Sequence, residues 1–209
     1  GSDWVSFQYK KPQKEEKKTP SKKTKKKKKS KKEEDPVKSG KKPIKRTTSD
    51  LVIFNPTTGE KQQIREVLEY AISKYGNSIG YVQSFGDTID SVGVYWFDNL
   101  KNTTDTSFFG LGNASKPTFN EKGDEYVWVL SADTGKAKAY AMYSTRGNHG
   151  TRIIVDTNDR FLPDGHTVSE NGNIYFSRNG EKIFFGTAKR PEEPKKDSIP
   201  ADEKATLDV

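Results

Sequence analysis

At 209 residues the chain is long enough for one ordinary domain with extensions, or for two very small domains. Its 30% hydrophobic and 32% charged residues make it too polar to pack along its whole length. Residues 1–50 carry 19 of the 37 Lys/Arg and 7 of the 29 Asp/Glu, a net +12; the 18 and 22 left over residues 51–209 make a net −4, so the formal +8 belongs to the N-terminal segment alone.

Cysteine is absent, which excludes disulfides, thiolate metal sites and Cys nucleophiles. No apolar run approaches the ~18–20 residues of a membrane-spanning helix. Gly1-Ser2 reads as a cloning remnant, so a native leader or anchor could precede it. Trp4, Val5 and Phe7 form a short apolar patch, either the edge of a trimmed segment or a strand or partner motif. Residues 1–49 then read as an unfolded basic arm or stalk. Lys22, Lys23, Lys25, Lys26, Lys27, Lys28, Lys29, Lys31 and Lys32 dominate it, with scattered Pro and almost no apolar residue. Such a stretch cannot bury enough surface to offset an ordering entropy of ~1–2 kcal/mol per residue. Fully extended, its roughly 39 residues from 10 to 48 reach at most ~130–140 Å.

A domain is expected over residues 50–188, opening with a strand at Leu51-Val52-Ile53-Phe54. Thr57 and Glu60 have capping-box spacing, and Ile64, Val67, Leu68, Ala71, Ile72 and Tyr75 recur at helical intervals. These features predict an amphipathic helix over residues 58–75, ended by Gly76-Asn77. Beyond it, period-two patterning predicts strands near 78–84, 91–97, 125–131, 137–144, 151–156, 172–177 and 181–186. Asp133-Thr134-Gly135-Lys136 and Asn179-Gly180 read as hairpin turns, the second as a two-residue type I′ turn. The expected class is therefore α+β: one N-terminal amphipathic helix packed on a mainly antiparallel sheet or sandwich of six or seven strands, preceded by the long basic arm. Residues 98–124 and 157–171 read as long polar loops, a kind that is often functional. Residues 189–209 read as an unfolded tail. No internal repeat is evident.

The chemistry is thin. Thr134-Gly135-Lys136 lacks the glycine and hydroxyl spacing of a phosphate loop. Gly110-Leu111-Gly112 follows no expected strand and opens no helix. There is no Gly-x-Ser-x-Gly elbow. Asp156-Thr157-Asn158-Asp159 starts like a calcium loop, but Arg160 and Phe161 break the ligand spacing. His149 and His166 have no metal-ligand spacing, so neither a metal nor a cofactor is expected. They read as exposed loop histidines or, joined to Arg146 and Arg152, as the acid, base and cations of a small ribonuclease. Against the latter, Ala139 and Ala141 stand where a carboxylate base belongs, and a net acidic domain repels phosphate.

The arm lacks the interleaved aromatics and the arginines that read bases, so it can bind nucleic acid only nonspecifically; a solvated linker or a contact with an anionic surface are the other readings. Tyr81, Tyr95, Trp96, Tyr126, Trp128, Tyr140 and Tyr143 lie on expected strands and read as core. If some faced outward beside Phe108, Phe109 and Leu111 of the 98–124 loop, they would form a partner-binding platform for a glycan or peptide. Asn102-Thr103-Thr104 and Asn113-Ala114-Ser115 are glycosylation sequons, meaningful only in a eukaryotic secretory setting.

Residues 68–81, Asp90-Ser91-Val92-Gly93-Val94-Tyr95, Ala139-Tyr140-Ala141-Met142-Tyr143-Ser144 and Gly172-Asn173-Ile174-Tyr175-Phe176 follow one another in an order of patterns with a counterpart. Over roughly 57–187 it resembles an uncharacterised C-terminal domain of small surface lipoproteins in lactobacilli and related Gram-positive bacteria. That family has no established activity, so the resemblance transfers no functional residue. It implies a cell-surface setting for a Lys-rich, cysteine-free stalk.

The favoured expectation is a non-enzymatic, extracytoplasmic, envelope-associated binding module, acting as a monomer. Its arm would contact an anionic polymer or membrane surface and its domain would hold a protein or glycan. The alternative is a cytoplasmic or nuclear nucleic-acid-associated protein with a nonspecific basic tail and a ribonuclease-like domain.

Overall fold

The computed structural model describes residues 5–9, 47–86, 91–133, 135 and 137–192. Over these residues the regular secondary structure is almost entirely β-strand. In order the strands are β1 (Val5–Tyr9), β2 (Ser49–Phe54), β3 (Lys61–Ile72), β4 (Ser78–Phe85), β5 (Ser91–Asp98), β6 (Thr103–Leu111) and β7 (Asn113–Phe119), then β8 (Glu125–Ser131), β9 (Ala141–Arg146), β10 (Thr151–Val155), β11 (His166–Val168), β12 (Ile174–Phe176), β13 (Ile183–Phe185) and β14 (Thr187–Lys189). One 3-10 turn, Gly147–His149, is the helical element among the described residues. The α+β class with a packed N-terminal helix is thus overturned; the fold is all-β.

The strand that replaces the helix explains why its sequence imitates one. In β3, Ser49 pairs with Val67 but Leu51 with Ile64, so an extra β3 residue is inserted near Glu66, whose φ is +55°. A second insertion follows at once: Val67 pairs with Gln83 and Glu69 with Val82, leaving Leu68 as the extra residue. Each bulge advances the side-chain alternation by one position. Ile64, Val67 and Tyr70 therefore all reach the same core, while Leu68 packs into a different one. A spacing of three on one face is the signature of a helix, and here two β-bulges produce it. The capping-box pair falls in the preceding hairpin, where Asn55 Oδ1 accepts from the Thr57 and Thr58 N–H groups.

The bulges also bend the sheet. The strands β1 to β6 form one antiparallel meander in sequence order. Leu51 and Ile53 of β2 share a core with Ile79 and Tyr81 of β4 and Phe97 of β5, strands two and three places away. The β1–β2–β3 corner folds over the rest of the meander, and Gln62 Nε2 closes it by donating to Asn102 Oδ1 at 2.8 Å. The strands β7 to β10 form a second antiparallel meander.

Between the two meanders lies an aromatic core of Trp96, Tyr126 and Trp128 with Val82, Val92, Val94 and Leu130. Trp96 meets Tyr126 and Phe119 edge-on at 5.2 and 5.3 Å, and Trp128 stacks on Tyr143 at 4.6 Å. Gly80 lets the layers approach, since a Cβ there would lie 3.2 Å from the Phe119 and Tyr126 rings. The other face of β8 carries Val127 and Val129 into a third core with Met142, Val155, Val168 and Ile174. Covered on both faces, β8 is buried at every position.

The C-terminal part consists of two small pairs, β11 with β14 and β12 with β13. Of the two expected loops, residues 98–124 contain β6 and β7, and residues 157–171 contain β11. The strand β6 hid because it is a sheet edge whose first half, Thr103-Thr104-Asp105-Thr106, is solvated. The strand β7 hid because it carries Pro117, which an edge strand tolerates at a bulge.

Hairpins are closed by a recurring turn. Ser73, Asn120 and Ser177 each pair with the residue five positions on, and Gly76, Gly123 and Gly180 each donate an N–H to the carbonyl three residues back. Each of these glycines has φ between +72° and +76°, which costs L-residues about 1–2 kcal/mol. Asn179-Gly180 therefore belongs to a four-residue loop, with only Gly180 left-handed, and not to a two-residue type I′ turn. In the other expected turn, Thr134 and Lys136 fall outside the described residues; Asp133 Oδ2 accepts from the Ala139 N–H at 2.8 Å.

The strand β1 lies within the stretch expected to be an unfolded arm. It pairs antiparallel with β2 from Val5↔Phe54 to Tyr9↔Asp50. The lysine run lies outside the described residues, but the residues on either side of it are register partners.

Candidate functional site

Of the residues singled out for nuclease chemistry, the two arginines share one carboxylate and the two histidines lie in separate elements. Arg146 ends β9 opposite Glu125 of β8, and Arg152 sits opposite Ser144 one strand further on. Both guanidiniums converge on the buried Glu125 carboxylate, at 3.6 Å from Arg146 Nε and 3.9 Å from Arg152 Nη2. The Ser144 hydroxyl also donates to that carboxylate. The two cations are engaged with an internal anion, which reduces their pull on an external phosphate. His149 closes the exposed 3-10 turn after β9. His166 opens β11, its Nδ1 lying 3.0 Å from the Asp164 carbonyl oxygen. Among the described residues no hydrogen bond or ion pair joins either histidine to Arg146, Arg152 or Glu125, and no group of His, Asp and Glu is arranged to hold a metal ion.

The Phe108, Phe109 and Leu111 set is a strand and not a loop, so alternation divides it. Phe108 turns inward and its ring lies 5.7 Å from Trp128. Phe109 and Leu111 turn outward, 62% and 55% exposed, with Phe109 edge-on to Phe85 at 5.3 Å. The tyrosines and tryptophans weighed as a platform are mostly core: Tyr81, Trp96, Tyr126, Trp128 and Tyr140 are buried. Burial, aided by the neighbouring Tyr95, pushes the Tyr81 phenol up to about 12. Burial raises Tyr126 further still, against hydrogen bonds that include a 2.6 Å contact with Ser107 Oγ.

Sequence reasoning did not single out a second exposed aromatic pair. In the β12–β13 hairpin, Ile174 pairs with Phe185, Tyr175 with Phe184 and Phe176 with Ile183. The outer pairs point into the third core. The middle pair points out: Tyr175 and Phe184 are 56% and 44% exposed and stack at 5.0 Å and 18°.

An open cleft of about 600 Å³ lies on one side of Tyr175, with Gln8 of β1, Glu69 of β3 and Thr118 of β7 in its walls. A second of about 480 Å³ runs along Phe184. Tyr175 and Asn173 line both. Glu69 is held at the rim by the Lys116 N–H, which donates to its Oε2 at 2.7 Å. Both volumes fall in the ~300–1,000 Å³ range of ligand clefts. In sequence, the Ile-Tyr-Phe and Ile-Phe-Phe strands joined by the Ser177–Gly180 turn were the available signal, since cross-strand alternation must put one aromatic pair outside.

No protein-family model matches the chain, and no curated protein sequence matches it. Solved structures with a similar trace include TolB from Acinetobacter baumannii, at 14% identity and TM-score 0.41, over 69% of this chain and 33% of that one. Another comes from a structural and mechanistic study of two prolyl endopeptidases, at 12% identity and TM-score 0.45, over 70% and 25%. A third is the β-propeller domain of the Trilobed protease from Pyrococcus furiosus, at 10% identity and TM-score 0.41, over 70% and 49%. The chain thus spans a quarter to half the length of these proteins, and likenesses at these TM-scores carry no functional assignment.

Proposed function

We propose that the protein is a non-enzymatic, extracytoplasmic binding module of the cell envelope. Its lysine-rich segment contacts an anionic polymer or membrane surface while its β-domain holds a separate protein or glycan partner. The observation that carries this reading is the division of charge combined with the β1–β2 pairing. A net +12 lies in residues 1–50 and a net −4 beyond them, and Val5–Tyr9, which precede the lysine run in sequence, pair with β2 of the domain. A lysine near an anionic membrane contributes about 1 kcal/mol, screened within a Debye length. The engagement of Arg146 and Arg152 by Glu125 supports a binding role over phosphodiester cleavage.

The test replaces Lys22, Lys23, Lys25, Lys26, Lys27, Lys28, Lys29, Lys31 and Lys32 with Gln in the full chain. Retention on phosphatidylglycerol vesicles and on a poly(glycerol phosphate) polymer should be lost, and in the unaltered chain it should fall steeply with salt. Retention that survives the replacement overturns the proposal. So does RNA cleavage that His149→Ala or His166→Ala abolishes.

A further inference from the structure

We infer that the two clefts flanking Tyr175 form one groove that binds an uncharged saccharide chain; this rests on the reading of the chain as a binding module and names the class of ligand its domain takes. Tyr175 and Phe184 present ring surface to solvent, where buried packing would hide it. An aromatic face is electron-rich and attracts the polarised C–H groups of a sugar ring. Around those rings stand planar hydrogen-bonding groups, the amides of Gln8 and Asn173 and the carboxylate of Glu69. Together they supply the donors and acceptors that neighbouring hydroxyls require.

The first cleft is lined by one carboxylate, Glu69, and one ammonium residue, Lys116, so its lining has no formal net charge to attract a strongly charged ligand. Both clefts are open to solvent and share Tyr175 and Asn173 in their walls, which suits a polymer laid across the surface better than a side chain seated in a hole. Four distant segments build the groove: β1, β3, β7 and the β12–β13 hairpin with Asn173 before it.

Affinity electrophoresis of the full chain through gels containing glycol chitin, hydroxyethyl cellulose or glucomannan tests this. At least one polysaccharide should retard the protein. Tyr175→Ala and Asn173→Ala should each weaken that retardation at least about tenfold. Far-UV circular dichroism should stay unchanged and the melting temperature should fall by no more than a few degrees, and Phe109→Ala should bind as the unaltered chain does. Migration unaffected by all three polysaccharides overturns the inference, as does Tyr175→Ala being retarded like the parent. The lysine-to-glutamine chain separates the two proposals. Saccharide retardation should persist in it while anionic-surface retention is lost. If anionic retention persists, the envelope reading fails and the groove stands on its own result.

Discussion

Two of the molecule's groupings of aromatic rings lie in opposite circumstances. Trp96, Tyr126 and Trp128 lie between the two meanders, covered on every side. Tyr175 and Phe184 lie on a two-stranded hairpin with only one face covered. Both groupings make close ring contacts, at 4.6 to 5.7 Å in the first and 5.0 Å in the second. The difference is the number of layers stacked on the strand. Where a second sheet lies above, aromatic area becomes cohesion; where none does, the same area stays available to a ligand.

That contrast breaks first if the inner rings prove dispensable. Trp128→Ala removes the stack on Tyr143 and the contact with Phe108, and should cost about 3–5 kcal/mol in a denaturant titration. A cost near zero would mean the interlayer core is not the cohesive element.

Alkali probes the same rings without mutation. The neutral phenols of Tyr81 and Tyr126 are favoured in the fold, so their folded pKa values lie above the unfolded value of 10.0. Their contribution is intact below about pH 10 and is lost as the pH rises toward and beyond about 12, at roughly 1.4 kcal/mol per pH unit for each tyrosine. Tyrosinate absorbance should therefore show two late phenols that appear only with unfolding.

Gly123→Ala acts on the frame and not on the rings. It forces a side chain into φ +76° and sets a Cβ 2.8 Å from that of Ser73. A loss of about 1–2 kcal/mol is expected by thermal melting. The smallest effect belongs to the outer pair: Tyr175→Ala should change stability by at most about 1 kcal/mol, the worth of a cross-strand pair. A larger loss would make that pair structural and erase the contrast.

Parts of this arrangement are visible in the chain. The expected strands at 78–84, 91–97 and 125–131 match β4, β5 and β8 closely, because Val, Ile, Tyr and Trp dominate them and Gly or Asn turns bound them. The expected helix failed at Glu66 and Leu68, where bulges wrote a three-residue period into a strand. Nothing local distinguishes that period from a helical one; the turns at Gly59 and Gly76 on either side were the better guide. The groove could not be read at all, since Gln8, Glu69, Thr118 and Asn173 meet only through packing.

By itself the sequence determined the segregation of charge, the absence of thiol chemistry and most strand and turn positions, because each depends on residue type or on neighbours within a few positions. Tertiary structure decided that residues 61–72 are strand, that Val5–Tyr9 pairs with β2, and which aromatics face solvent. Those outcomes depend on which distant strand supplies hydrogen bonds and which layer excludes water, and a local pattern contains neither.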